Sequence, residues 1–168
     1  MPHPIILALF PSPSAAAAAA RALHFAGIGR EHISVVARSH QEEGELAREM
    51  DATPGVDLED SRGAAVLGEL SGQVLAAIAM VLPGIGPIVS AGPLAAELGE
   101  AAGHAAGSLS SVLTSAGVPS THAEAIEREV QAGSILIAVH VTGNEAAAVR
   151  EILVATNPTD VMVANWEP

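Results

Sequence analysis

The stretch that decides the fold is LSGQVLAAIAMVLPGIGPIVSAGPLAA, residues 70–96 of the 168-residue chain. No residue between Glu69 and Glu97 carries a charge, and the run is long enough to cross a bilayer. Its centre, Pro83-Gly84-Ile85-Gly86-Pro87, does not fit a straight helix, because proline has no N–H to donate and glycine is a poor helix former. The reading is a helical hairpin with its apex at Pro83, Gly84, Gly86 and Pro87. One arm covers residues 61–82 and the other 88–116, with Pro93 kinking the second. Gly68 and Gly72 on the first arm, and Gly99, Gly103 and Gly107 on the second, permit close backbone approach, so the hairpins are expected to pack together and drive homo-oligomerisation.

Outward from this insert, both flanks read as strand–helix–strand. Residues 4–10 (PIILALF) form a short apolar strand closed by Pro11-Ser12-Pro13-Ser14, and Ser12 or Ser14 can cap a helix running to about Phe25. Gly27-Ile28-Gly29 ends that helix, and residues 32–39 (HISVVARS) make a second strand. Residues 40–60 are polar and acidic and read as a linker, with residues 41–50 as one short helix and Thr53-Pro54-Gly55 as its breaker. After Gly117-Val118-Pro119, Thr121 and Glu124 make a capping-box pattern for a helix to Ala132, stopped by Gly133. Residues 134–141 (SILIAVHV) are a third strand, 144–155 a helix and 160–165 a fourth strand.

The order is that of an α+β ferredoxin-like split βαβ sandwich, with the glycine- and alanine-rich helical hairpin inserted between strands 2 and 3. Four segments follow: 1–39 as the first βαβ half, 40–60 as the acidic linker, 61–117 as the insert, and 118–168 as a helix plus the second half. The first and third strands are apolar on both faces, which suits central positions. The two crossover helices cover one sheet face, so the other should be covered by the hairpin or by a second subunit's sheet.

Val81 to Ala96, VLPGIGPIVSAGPLAA, resembles the Pro-Gly-Ile-Gly-Pro…Ala-Gly-Pro-Leu-Ala segment of bacterial general stress proteins and low-temperature-induced proteins. ISVVAR at residues 33–38 is similar to the same family, as is the order of Gly117-Val118-Pro119, an acidic helix, Ala132-Gly133 and a strand. The resemblance implies a ferredoxin-like domain with a glycine-rich helical insert, induced under stress, with no established enzymatic activity. Three features depart from it. Ala125-Ile126 stands where paired aromatics are expected, Glu97, Glu100 and His104 replace small or apolar residues, and the chain continues past its last strand into Asn165-Trp166-Glu167-Pro168.

Composition narrows the partners. Nineteen Asp and Glu against seven Arg and no Lys leave a net charge of −12, which argues against nucleic acid and anionic membrane surfaces. No cysteine is present, so disulfides, thiolate metal sites and a cysteine nucleophile are excluded. The N-terminus shows no basic segment followed by an apolar run, and a cytoplasmic location is the expectation. Alanine and glycine bury little area each, which again points to partner subunits.

The candidate chemistry lies on the second arm. Glu97, Glu100 and His104 fall within roughly 60° of one another on a helix, and antiparallel pairing places Glu69 opposite Glu100. Carboxylates with an imidazole are the ligand chemistry of a divalent transition metal (Fe, Mn or Zn) in helical bundles. The same residues also fit the solvent face of an amphipathic arm. Among the other histidines, His140 sits in a strand and could point to the second sheet face, and His122 lies in a helix's first turn; His3, His24, His32 and His40 read as surface or loop positions. Gly84-Ile85-Gly86 follows no strand in this reading and is no phosphate cradle, and no Gly-x-Ser-x-Gly elbow occurs. No catalytic constellation emerges. The expectation is a non-enzymatic, self-assembling stress-associated protein, with a metal-binding or metal-storing assembly and a membrane-associated hairpin as alternatives. Each arm's uncharged part is shorter than the ~20 residues a span requires, so membrane contact would be re-entrant.

Overall fold

The computed structural model describes residues 2–38, 78–82, 86–91, 93–94 and 108–167. These build a mixed α/β fold around one antiparallel sheet. Strand β1 spans His3–Phe10, helix α1 Pro13–Phe25 and β2 Ile33–Arg38, with a single 3-10 turn at Arg30–His32 between the last two. Strands β3 (Ile78–Leu82) and β4 (Gly86–Ala91) follow, then helices α2 (Leu109–Ser115) and α3 (Ser120–Gln131). The chain closes with β5 (Ile135–His140), α4 (Ala146–Ala155) and β6 (Asp160–Trp166). The six strands lie in the order β3-β4-β2-β5-β1-β6.

The local reasons are visible in the residues. Ser12 caps α1 by accepting the Ala15 N–H at 3.2 Å, and Pro13 starts the helix where its missing N–H costs nothing. The alanine run then does more than favour helix. Ala16, Ala17, Ala19 and Ala20 are buried, and their small side chains let α1 lie close on the sheet. Strand alternation splits the core in two. Ile6, Ala8 and Phe10 of β1 face α1 and α4 with Ile33 and Val35 of β2 and Ile135, Ile137 and Val139 of β5. Ile5, Leu7 and Leu9, with Val36, Leu136 and Ala138, face the other way. β1 and β5 are central and buried on both faces, as their two-sided apolarity requires.

One expectation is corrected and another is met in part. The segment around Pro83–Pro87 is not a helical hairpin, because the chain on both sides of it is extended. β3 and β4 pair antiparallel from Ile78–Ser90 to Leu82–Gly86, and β4 continues the sheet by pairing with β2 from Val35–Ala91 to Arg38–Ile88. The reversal stays where the proline–glycine cluster puts it, between Leu82 and Gly86. Ile78, Val81, Ile88 and Val89 are β-branched, and an apolar run interrupted by Pro-Gly-Ile is also a hairpin pattern. The second arm is likewise not one helix. It is extended through Ala91, helical at Pro93–Leu94, and resumes as a separate helix, α2, capped by Ser108.

The far sheet face meets the first of its two expected coverings in part, since Leu94 and α2 belong to the second arm. It is covered within the chain, by Leu109 and Leu113 of α2, by Ala123, Ile126 and Val130 of α3, and by Leu94 and Trp166. Leu94 is anchored through its N–H, which donates to the buried Ser34 Oγ at 2.9 Å. No second subunit's sheet is needed there. A smaller revision falls on α3: Pro119 occupies the cap position, so Thr121 lies inside the first turn and no side-chain cap bond forms. Gly133 does end this helix, with φ of 105°, while Ser134 N–H returns to the Glu129 carbonyl at 2.9 Å.

Candidate functional site

Glu69, Glu97, Glu100 and His104 lie outside the described residues, as do Gly68, Gly72, Gly99, Gly103, Gly107, Pro83, Gly84, His40 and residues 40–60. Gly86 and Pro87 are placed, as the first two residues of β4. The site residues that the structure does bring together are two histidines that sequence reading assigned to separate positions.

Antiparallel pairing sets the end of β5 against the start of β1, with His140 opposite Ile5, and the end of β6 against the same strand, with Trp166 opposite His3. Alternation puts His140 on the second sheet face, in line with Leu136 and Ala138. There the Nε2 of His3 and the Nδ1 of His140 lie 3.0 Å apart. The indole of Trp166 stands edge-to-face against His140, centroids 5.0 Å apart at 81°. His32 precedes β2 by one residue, and extending the Ile33–Val139 register brings its backbone beside His140.

His140 is 8 % exposed, and among the described residues its Nε2 has no hydrogen-bond partner. An orphaned lone pair is more tolerable in the interior than an orphaned N–H. Hydrogen-bond accounting therefore favours the tautomer in which His140 Nδ1–H donates to His3 Nε2, leaving Nε2 as an acceptor. Burial, reinforced by the neighbouring His3 and His32, pushes the pKa of His140 down from 6.5 to about 4. Next to this cluster, Glu145 accepts from the Thr142 hydroxyl at 2.6 Å and from its N–H at 3.1 Å. Those bonds, with a smaller contribution from His32, hold its carboxyl below the usual carboxylate range.

The end of β6 is also tied from outside the sheet. Glu167 N–H donates to the Ala116 carbonyl at 3.0 Å. Gly117 has φ of 98°, and a Cβ there would collide with the Asn165 carbonyl oxygen. Both constraints press the turn between α2 and α3 against the residues that flank Trp166.

Chemically, two facing imidazoles with one buried nitrogen left over can share and move a proton. Among the described residues no three His, Asp or Glu side chains converge as a metal-binding group. His24 and His122 are exposed on helices α1 and α3, apart from the pair. Sequence reasoning placed His140 on the right face but missed His3 and Trp166. The signal was present: in an antiparallel neighbour pair, the start of one strand meets the end of the other.

No family model matches the chain, nor does any curated protein or solved structure. Among the described residues no helix is long and apolar enough to cross a membrane.

Proposed function

We propose that the chain is a non-enzymatic, self-associating protein of the general stress protein type, built on a ferredoxin-like core. The strand order β2-β5-β1-β6, with α1 and α4 as crossovers on one face, supports that topology. The segment between β2 and β5 then carries the insert, which enlarges the sheet by β4 and β3 and supplies α2 and α3 to the second face.

The observation that carries self-association is β6. It ends the sheet order, and β1 is its single sheet neighbour among the described residues. Its sequence, DVMVANW, contains neither Lys nor Pro, and Val163 is 47 % exposed. An edge without such blocking residues is a template for pairing with another strand, and a second copy offers an identical one. The experiment is the solution mass of wild type, of Val163→Lys on the edge and of Gly103→Leu in the insert. Wild type should be a dimer or larger, and at least one variant should dissociate. A wild type that remains monomeric at micromolar concentration overturns the reading.

A further inference from the structure

The three rings at the end of the sheet form a mechanical unit that a structural core does not require. The side-chain bond of His3 goes to His140, its backbone partner across the ladder is Trp166, and the Trp166 indole packs on the His140 ring. Any change in the imidazole pair is therefore felt by Trp166 through two routes. We propose that His3 and His140 form a proton-operated latch, which holds the Trp166 end of β6 on the sheet when the pair carries no extra proton and releases it when the pair is protonated.

The argument is one of donors and acceptors. At 3.0 Å the two facing nitrogens need one hydrogen between them. A proton added to His140 turns its Nε2 into a buried N–H with no acceptor among the described residues. A proton added to His3 makes Nε2 of that ring a donor, so His140 must move its own hydrogen to the same buried Nε2. With both rings charged, two donors and two positive charges face each other. Protonation of His140 is thus penalised while the latch is closed, and that penalty disappears when the rings part.

Among the described residues, the charged groups near His140 are already engaged or lie away from its ring. On β1 the facing group is His3 itself, and at the start of β2 it is His32, whose Nε2 lies 3.7 Å from Glu31 Oε1. Glu145, after β5, is engaged by Thr142. Beyond Trp166, Glu167 lies exposed outside the sheet. Helix α2 carries no charged residue, and on α3 Glu127 accepts from Ser110 N–H at 2.6 Å. The depressed pKa of His140 agrees with this geometry and sets the window, below 6.5 and reaching to about 4. What gives way is the Trp166 end of β6, the last pair of its ladder with β1, together with the Glu167 N–H bond to the Ala116 carbonyl. His3, His140 and Trp166 all belong to one chain, so the latch is complete in the monomer.

Trp166 is the chain's one tryptophan, so its emission reports on the latch alone. The test follows emission and far-UV circular dichroism together from pH 7.5 to 4. Emission should shift to longer wavelength with a midpoint inside that window, before secondary structure is lost. His140→Phe and His140→Gln should each abolish the shift, and His24→Ala and His122→Ala should keep it. Imidazole resonances of wild type provide a check that needs no variant: His140 protonation and the Trp166 indole N–H should titrate together. Flat emission, emission that moves only with circular dichroism, or a shift that survives in both His140 variants overturns the latch. So does a shift that requires Zn2+ or is removed by a chelator, since the pair would then be holding a metal ion.

Discussion

At the scale of single residues, burial and pairing count for more than chemical identity. The seven histidines look alike in the sequence, yet one of them is held neutral far below its ordinary range. For His140 the folded pKa of about 4 lies below the ordinary 6.5, so below pH 6.5 the unfolded chain takes up a proton that the folded chain refuses. Its contribution to stability is complete above pH 6.5, falls as pH drops toward 4, and then levels off. At 1.36 kcal/mol per pH unit the ceiling of that loss is about 3 kcal/mol, and opening of the latch keeps the global loss below it. Urea unfolding at a series of pH values should show this slope in wild type and lose it in His140→Phe. The residues whose roles were legible in advance act locally. Ser12 caps the helix beginning at the next residue, and Gly133 ends one just behind it. His3 was not legible, because its partner is 137 positions away and only strand pairing brings the two together.

Among elements, the hairpin of β3 and β4 shows what composition leaves open. An uncharged run of Ala, Gly, Ile, Val and Leu has no polar face, so neither a period of 3.6 nor a period of 2 can be read from it. The reversal at the proline–glycine cluster was legible because those residues act on the backbone directly. The conformation of the arms was not, since it depends on an available edge at β2. The consequence is testable at Val89, which pairs with Ala37 on one side and Ala79 on the other. Val89→Pro removes an N–H from a strand with neighbours on both edges. Hydrogen exchange should then speed up in β3 and β4 while β1 and β5 stay protected. Equal loss of protection in all four strands would show that the hairpin is integral to the sheet rather than added to it. The covering of the second face was half legible: the end of the second arm does lie there, as α2, but α3 was not assigned to it.

For the whole molecule, the strand, helix, strand order of each flank was legible. The two-sided apolarity of β1 and β5 placed them correctly at the centre. The central place of β1 also bears on how the protein is made. Its two neighbours, β5 and β6, are synthesised long after it. While the ribosome works through the intervening residues, a strand reading IILALF has neither ladder partner. At typical elongation rates that interval is on the order of ten seconds, far longer than an isolated hairpin takes to close. The core therefore cannot assemble from its N-terminal half outward during translation, and the nascent chain is expected to need chaperone cover until β6 emerges. Ribosome-bound chains arrested before β5 should be retained by a holdase, and chains released after Trp166 should not.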